Sequence, residues 1–503
     1  MPFPFINSII SWFLKKRKHQ VELFLKYPED VQKELLFKLV NSAKNTEFGK
    51  QYNFSSIENY TDFTKKVPIQ KYETIEPLIE RCRKGEQNLF WPTKIKWFAK
   101  SSGTTNAKSK FIPVSDEAIE YCHFKAGKDM LCMYINNNEE AQLFTGKSLR
   151  LGGSSAIYED NDSYFGDLSA IIIENMPFWA DFSSAPKQEV ALMSEWETKM
   201  EAIIDETIHE NITSLAGVPS WMLVLLNRVL EKTGKDNILE VWPNLEVYFH
   251  GGVNFNPYRE QYKKLIPKKE FKYYETYNAS EGFFAIQDRN NSDELLLMLD
   301  YGIFYEFIPM DSYDGENSTA IPLSKVKKDV NYAMVITTNG GLWRYLIGDT
   351  VKFTSIKPYR IKITGRTKHH INVFGEELII ENAEEALQAA CEKTNSEIKD
   401  YTVGPIFMNE DSTGGAHEWI IEFEKAPVNI DFFTELLDNA LKNCNSDYEA
   451  KRYNNMTLSM PKVHQAREGL FYDWLKTKGK LGGQHKVPRL SNTRWFLEEL
   501  LNL

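Results

Sequence analysis

Residues 100–110 form a short polar stretch that carries the residue types that bind phosphate. The stretch reads KSSGTTNAKSK, with serines, a glycine and threonines in succession and lysines on both sides. Backbone N–H groups and hydroxyls in such a loop can converge on phosphate oxygens, while Lys108 and Lys110 supply positive charge. A solvated turn is the alternative interpretation. The candidate phosphate ligands are Ser101, Ser102, Gly103, Thr104, Thr105 and Lys110.

A second stretch, residues 274–282, leads from a strand-like run into small polar residues and a glutamate. It reads YETYNASEG. Tyr277 can stack on a nucleotide base, and Glu281 can hold a magnesium ion that shields phosphate charge, because Mg²⁺ prefers carboxylate oxygens. A strand that ends in a solvated turn is the competing interpretation.

Two glycine-containing turns complete the set of candidate sites. Asp349 lies between a glycine and a strand-like run, and its two oxygens can accept hydrogen bonds from the vicinal hydroxyls of a ribose. A β-turn aspartate is the alternative. Gly251 and Gly252 follow the apolar run LEVYFH, where glycines can admit a flat ligand against the backbone. The chain contains no GxSxG elbow, so a hydrolase triad is not supported.

The spacing of apolar residues predicts the elements that position these residues. Strands alternate with helices through residues 90–280, which predicts a layered α/β core. After Gly365 the pattern changes to that of a smaller α+β domain, and the polar run 365–370 is the predicted boundary. The predicted helices are Val21–Ala43, Asp116–Tyr134, Ser194–His209, Pro219–Lys232, Glu381–Lys393 and Ile430–Asn443. The predicted strands are Lys147–Leu151, Leu245–His250, Lys272–Tyr277, Leu295–Leu299, Met334–Thr338, Tyr359–Thr364 and Trp419–Glu424.

Composition excludes several classes of protein. The chain has 503 residues, a net charge of −10 and a hydrophobic content of 42%, which argues for large cores and against wholesale nucleic-acid binding. Its five cysteines form no CxxC pair, which argues against a zinc site and for a reducing compartment. The apolar stretch near the N-terminus is too short to span a bilayer, and its positive charges follow the stretch rather than precede it. We therefore expect a cytoplasmic protein without stable membrane insertion.

Taken in order, the motifs resemble the adenylate-forming superfamily of acyl-CoA synthetases, peptide-synthetase adenylation domains and luciferase. Within it the chain is most similar to the Gretchen Hagen auxin-responsive family of acyl-acid amido synthetases, particularly its bacterial members. Ala107 departs from the glycine that many relatives have in the first loop. The similar segments are KSSGTTNAKSKFIPVS (100–115), GDLSAI (166–171), GVPSWM (217–222), FHGGVNFNPY (249–258), YNASEG (277–282), LWRYLIGD (342–349), ITGRTKHHINVFGEEL (363–378) and KLGGQHKVPRL (480–490).

The resemblance implies a role for each matching residue. The loop 101–105 would handle the ATP phosphates, and Gly251 with Gly252 would run along the adenine edge. Lys486 would be the lysine that a mobile C-terminal domain delivers for adenylation, and Lys368 would occupy the hinge. The remaining implied nucleotide-binding residues are Tyr277 on the adenine, Asn278, Ser280, Glu281 with magnesium, Asp349 on the ribose, and Arg366 just before the hinge.

The resemblance also implies fold and function. We expect an α/β, luciferase-like domain over residues 1–367 and a smaller, mobile α+β domain over residues 368–503. The implied activity depends on ATP and has two steps. In the first, a carboxylic acid reacts with ATP, with the help of Mg²⁺, to give an acyl-adenylate and pyrophosphate. In the second, the acyl group is transferred to an amine, such as that of an amino acid, and AMP is released. An acyl-CoA synthetase and a catalytically idle nucleotide-binding protein are the alternatives. The implied partners are small acids and amines, without nucleic acid, and a monomer is expected.

The sequence does not identify the acid. Lys125 and Lys128 are candidate partners for its carboxylate. Phe124, Trp221, Phe283 and Phe284 could suit an aryl or indolyl acid, or could equally be core residues.

Overall fold

Helices precede the first strand of the fold. The computed structural model of the 503-residue chain describes residues 17–101, 110–152, 157–160, 162–176, 183–193, 195–253, 255, 258–367, 370–376, 378–408, 414–455, 457–477 and 487–503. Residues 17–26 are helical, and a second helix, Pro28–Ala43, begins at its proline. Proline suits a first helical position because that position needs no N–H donor. The single helix predicted over Val21–Ala43 is therefore divided in two.

Strands and helices alternate through the middle of the chain, as predicted. The predicted elements recur with boundaries shifted by a few residues, and β3 agrees at both ends. In chain order the described strands are β1 Trp97–Ser101, β2 Lys110–Val114, β3 Lys147–Leu151, β4 Tyr158–Asp160, β5 Ser163–Gly166, β6 Ser184–Ala185, β7 Ile212–Gly217, β8 Val247–Gly251, β9 Lys272–Ala279, β10 Gly282–Ile286, β11 Leu295–Leu297, β12 Ile303–Pro309, β13 Ile321–Pro322, β14 Asn331–Thr338, β15 Tyr345–Ile356, β16 Tyr359–Arg366, β17 His370–Ile371, β18 Leu378–Ile379, β19 Glu397–Ile406, β20 Ala416–Lys425 and β21 Lys462–Gln465.

Helices cover the sheets and connect the strands. The region predicted as one helix over Asp116–Tyr134 contains a π-helical turn, Ile119–Phe124, between two α-helical segments. The other described α-helices are Glu47–Gln51, Tyr60–Lys66, Tyr72–Arg83, Asp116–Ala118, Lys125–Asn137, Leu168–Glu174, Gln188–Ala191, Trp196–Thr207, Pro219–Thr233, Arg259–Leu265, Ile380–Thr394, Ile430–Cys444, Ser446–Arg452, Leu470–Thr477 and Trp495–Leu501.

A mixed sheet lies at the centre of the described structure. Its strand order is β13-β12-β14-β15-β16-β11-β10-β9-β8-β7-β3-β6. Neighbouring strands are antiparallel from β13 to β9 and parallel from β9 to β6. β9 is therefore the strand at which the sheet changes from antiparallel to parallel pairing.

The antiparallel half of this sheet is strongly curled. Four strand-to-strand steps separate β9 from β15, which in a flat sheet would be about 19 Å at about 4.8 Å per step. Tyr277 on β9 nevertheless donates a hydrogen bond of 2.7 Å to Asp349 on β15. The curled face encloses an apolar core, so distant strands meet around one set of buried side chains. Its members include Tyr277, Phe284, Met334, Val351 and Phe353.

A smaller sheet with the order β2-β1-β5-β4 carries the two ends of the predicted phosphate loop. β1 and β2 are antiparallel, and Ser101 lies opposite Lys110. The strands on the two sides of residues 102–109 therefore pair with each other, and β2 lies between this stretch and the helix that begins at Asp116. The run Lys110–Val114 was not predicted as a strand, because its five residues include a proline and its only evidence as a strand is pairing with β1.

The C-terminal region has the predicted α+β character. Helices Ile380–Thr394 and Ile430–Cys444 accompany the sheet β19-β20-β21. Its buried residues continue into the same apolar cluster as those of β3 and β7, and the hydroxyl of Tyr258 donates to the carbonyl oxygen of Val373 at 2.7 Å. The region therefore docks on the larger one through buried contacts. Among the described helices, none is both long enough and apolar enough to cross a membrane.

Candidate functional site

Several predicted motifs meet at the carboxyl ends of neighbouring parallel strands. β7, β8 and β9 lie side by side, with Gly251 opposite Thr276 in the parallel ladder. Ligands of open α/β sheets bind at this edge of the strands. A Cβ at Gly251 would lie 2.6 Å from the carbonyl oxygen of Thr276, so this close backbone approach requires glycine. Gly252 follows with φ at +85°, a conformation that glycine adopts without strain.

Asp349, the predicted ribose ligand, is held from two sides. The Tyr277 hydroxyl donates to its Oδ2 at 2.7 Å, and Arg366 Nε donates to its Oδ1 at 2.9 Å. Arg366 lies opposite Asp349 in the β15–β16 ladder. The Asp349 side chain remains 15% exposed, so the carboxylate still reaches solvent. The structure thus brings together three of the predicted nucleotide-binding residues.

The ring of Tyr277 points largely into the core. Tyr277 is only 5% exposed. Its ring centroid lies 4.9 Å from that of Phe284, and its hydroxyl lies 3.6 Å from the Met334 sulfur. Stacking of this ring on an adenine stays a prediction, and such stacking would use the small exposed part of the ring. The hydroxyl contact with Asp349 was not predicted from the sequence.

Glu281, the predicted magnesium ligand, lies in the turn between β9 and β10 and is partly buried. Burial raises the pKa of its carboxyl to about 7, and the negative charge of Asp349 adds to the rise. The positive charges of Lys110 and Arg366 oppose it. Glu281 therefore lies within electrostatic reach of Lys110, which ends the predicted phosphate loop, and of the ribose aspartate.

The remaining predicted site residues divide into two groups. Asn278, near the end of β9, is exposed, and Ser280, in the same turn as Glu281, is partly buried. Ser101 and Lys110 are described as the paired ends of the hairpin, and both are partly buried. The other predicted residues lie outside the described part of the chain: Ser102, Gly103, Thr104, Thr105, Lys368 and Lys486.

A buried ion pair next to the start of β15 was missed in the sequence. Arg344 donates from Nε and Nη2 to the two carboxylate oxygens of Glu306, both at 2.9 Å, and both side chains are almost fully buried. Arg344 precedes β15, the strand that carries Asp349, and has φ at +43°. One signal could have revealed the pair: a single glutamate in the apolar run IFYEFIP and a single arginine in LWRYL. Buried charges need partners.

The candidates for binding the acid have other contacts. Lys125 Nζ lies 2.8 Å from Asp300 Oδ2, and Lys128 pairs with Glu120. The Lys451 ammonium lies 4.1 Å from the centroid of the Trp221 ring, so the large and small regions meet at that tryptophan. Phe284 is fully buried in the core of the curled sheet. These contacts favour structural roles for Lys125, Trp221 and Phe284. The pair of Lys128 and Glu120 is exposed, and Phe124 and Phe283 pack partly buried against that core.

Comparison with known families covers most of the chain. Residues 17–271 match the model of the GH3 family N-terminal domain, residues 296–366 that of the GH3 family central domain, and residues 381–495 that of the GH3 family C-terminal domain. Two Arabidopsis thaliana proteins are among the similar sequences, each 22% identical. Indole-3-acetic acid-amido synthetase GH3.3 aligns over 91% of this chain and 89% of its own. The 4-substituted benzoates-glutamate ligase GH3.12 aligns over 92% of both.

Solved structures share the fold. The GH3.15 acyl acid amido synthetase superposes with a TM-score of 0.62 at 16% identity, over 97% of this chain and 96% of that one. A 2-hydroxyisobutyryl-CoA ligase with bound 2-HIB-AMP and CoA superposes with a TM-score of 0.57 at 12% identity, over 95% and 92%. The predicted adenylate-forming α/β fold is thereby confirmed.

Proposed function

Because the chain belongs to the GH3 family, we propose that it is an ATP-dependent acyl-acid amido synthetase, a ligase that joins a carboxylic acid to an amine through an acyl-adenylate. The names of several similar proteins specify an amino acid as the amine that those proteins use. We propose that this chain also uses an amino acid. The observation that carries the proposal is the meeting of Asp349, Tyr277 and Arg366 within electrostatic reach of Glu281, which follows the carboxyl end of β9.

The first half-reaction activates the acid. A carboxylate oxygen attacks the α-phosphorus of ATP, the bond from that phosphorus to the bridging oxygen breaks, and pyrophosphate leaves with the electron pair. Asp349 holds the ribose hydroxyls, and the loop 101–105 with Lys110 orients the departing pyrophosphate. Lys486 donates to the α-phosphate oxygens, where negative charge gathers. The product is a mixed anhydride of acid and AMP.

The second half-reaction forms the amide. The amine nitrogen attacks the acyl carbon, the new C–N bond forms, the C–O bond to AMP breaks, and the nitrogen releases a proton. We propose that residues 368–503 rotate between the two half-reactions, which withdraws Lys486 and admits the amine, as gating motions do in other enzymes. The hydrogen bond between Tyr258 and Val373 and the contact between Lys451 and Trp221 would break or shift during that rotation.

The residues near Glu281 fit a magnesium ion that arrives with ATP. Among the described residues no cluster of three or more histidine, cysteine, aspartate or glutamate side chains is arranged to hold a metal. Mg²⁺ in nucleotide sites is commonly bound by one or two carboxylates together with substrate phosphates. Glu281 would supply such a carboxylate, and a bound Mg²⁺ would neutralise charge on the phosphoryl oxygens.

The raised pKa of Glu281 predicts a pH dependence of nucleotide binding. A carboxyl with a pKa of about 7 is largely protonated at pH 6 and largely ionised at pH 8, and only the ionised form binds a cation. The affinity for Mg·ATP should therefore rise as the pH increases from 6 to 8. Calorimetric titrations across this range measure the rise in affinity. Glu281→Gln is the matched control, because ATP itself is protonated to the same extent in both titrations and only the wild type carries the titrating carboxyl. A pH profile shared by both proteins would contradict the assignment.

An exchange assay tests the proposed function. Incubation with ATP, labelled pyrophosphate, Mg²⁺ and a panel of carboxylic acids, without amine, should return label to ATP for one class of acid. Addition of amino acids should then give amide and AMP. A thioester formed faster with coenzyme A than the amide would overturn the choice of acceptor. Failure of every acid, with AMP still bound, would identify a catalytically idle nucleotide-binding protein.

The cellular location is also proposed. No disulfide joins the five cysteines, all of which lie in described parts of the chain. Thiols persist in reducing compartments. The cytoplasm is therefore the location that we propose.

A further inference from the structure

The hydroxyl of Tyr277 contacts the side chain that recognises ribose in the proposed function. We propose that Tyr277 is a positioning residue: its hydroxyl orients the Asp349 carboxylate so that the free acceptor sites face the 2′ and 3′ hydroxyls of the nucleotide. The inference rests on the proposed function, because it takes Asp349 as the ribose ligand. It assigns to the tyrosine hydroxyl a task that is distinct from the predicted stacking of the ring on adenine.

The number of acceptor sites on Asp349 is sufficient for two protein donors and two ribose hydroxyls. A carboxylate offers about four lone-pair sites on its two oxygens. Tyr277 occupies one site on Oδ2, and Arg366 occupies one on Oδ1. About two sites remain, one on each oxygen, which is the number that two vicinal hydroxyl donors require. Tyr277 is 5% exposed, whereas the Asp349 side chain is 15% exposed, so the protein donor approaches from the core and leaves the solvent side open.

The donor itself is held in place. The Tyr277 ring packs on Phe284 at a centroid distance of 4.9 Å, and its hydroxyl lies 3.6 Å from the Met334 sulfur. Burial and the neighbouring Asp349 carboxylate raise the pKa of Tyr277 well above its ordinary value, so the hydroxyl keeps its proton and remains a donor.

Such a donor is needed because an aspartate carboxyl is easily rotated. The terminal torsion of aspartate has a broad energy minimum, so an unrestrained carboxylate samples many orientations. Donors from β9 and from β16 contact opposite oxygens and restrict that torsion. A preoriented carboxylate loses less entropy when ribose binds, which increases affinity.

The substitution Tyr277→Phe separates the hydroxyl from the ring. It keeps the aromatic surface and removes the donor, so a role confined to stacking predicts no change. The probes are AMP and 2′,3′-dideoxy-AMP, titrated by calorimetry, which needs no knowledge of the acid substrate. Loss of one hydrogen bond to a charged group corresponds to about a tenfold change in affinity. We expect AMP to bind about tenfold more weakly and dideoxy-AMP to bind as it does to the wild type.

Tyr305→Phe is the matched control. Tyr305 is fully buried in the same apolar core, and its hydroxyl donates to the carbonyl oxygen of Met298 at 3.1 Å, away from Asp349. This substitution should leave the ratio of the two affinities unchanged. Unfolding midpoints of both variants separate a binding effect from a loss of fold.

A double-mutant cycle gives a second measurement. In an Asp349→Asn background, Tyr277→Phe should have little further effect on AMP binding, because the carboxylate that the hydroxyl orients is absent. Equal losses with both ligands, an unchanged ratio, or tighter AMP binding by Tyr277→Phe would each overturn the inference. Wild-type protein that binds AMP and dideoxy-AMP equally would instead refute the ribose role of Asp349, and with it the proposed function.

Discussion

Lys486→Ala is expected to lower acid-dependent ATP–pyrophosphate exchange by about 10²–10³-fold, the usual effect of removing one electrostatic stabiliser of a transition state. The reason is that the proposed mechanism places this ammonium against the α-phosphate only while pyrophosphate departs. Transfer of the acyl group from a preformed acyl-adenylate to the amine should continue at close to the wild-type rate, since the lysine is withdrawn in that step. Measurement of both half-reactions on the same preparation checks the prediction.

Lys478→Ala provides a matched control for that experiment. Lys478 belongs to the same glycine-rich, cationic stretch near the C-terminus but is not the lysine that the family resemblance singles out. Its loss should leave exchange within a few-fold of wild type. Exchange that survives Lys486→Ala would show that the assignment is wrong, and an equal fall in both half-reactions would argue against selective use in adenylation.

Glu306→Gln is expected to lower the free energy of unfolding by about 3–5 kcal/mol, the usual consequence of removing one member of a buried ion pair. Arg344 and Glu306 are only 6% and 1% exposed in their side chains. Arg344 also donates to the Val67 carbonyl oxygen at 2.7 Å, and Tyr60 donates to Glu306 at 2.8 Å. The substitution leaves the arginine charge buried without its counter-charge. Urea unfolding at pH 7, followed by the fluorescence of the buried tryptophans, measures the loss.

Glu260→Gln is the surface counterpart. Its partner Lys263 lies 2.7 Å away, but the two side chains are 76% and 56% exposed. Exposed pairs contribute about 0–1 kcal/mol, so little change is expected. A similar decrease in the free energy of unfolding in both variants would show that the buried pair contributes no more to stability than the exposed pair.

Local patterns in the sequence predicted much of the fold. Apolar periodicity placed β3 at Lys147–Leu151 and the helix Ile430–Cys444 to within one residue, because both elements present a regular face to a core. The ordered motifs also singled out Asp349, Arg366 and Glu281, and the structure brings these residues close together. These features depend on residue type and short spacing, which the sequence displays directly.

Contacts between distant strands were not predictable in this way. The hydroxyl of Tyr277 meets Asp349 only because the sheet curls, and no local pattern encodes that curl. The strand Lys110–Val114 is defined by its pairing with β1. Lys125 was a candidate partner for the carboxylate of the acid, but in the structure it pairs with Asp300. In each case the partner lies far away in the chain, so the contact depends on tertiary structure.

If Asp349 holds the nucleotide as proposed, the curl of the central sheet should couple nucleotide affinity to global stability. Tyr277 and Asp349 are 72 residues apart in the chain, and their hydrogen bond exists only when the antiparallel strands have bent fully around the core. A ligand held there favours the folded ensemble by about 2.7 kcal/mol at a concentration one hundred times its Kd. Substitutions that relax the bend, even those far from Asp349 in the curled sheet, should therefore weaken nucleotide binding through thermodynamic linkage rather than through contact.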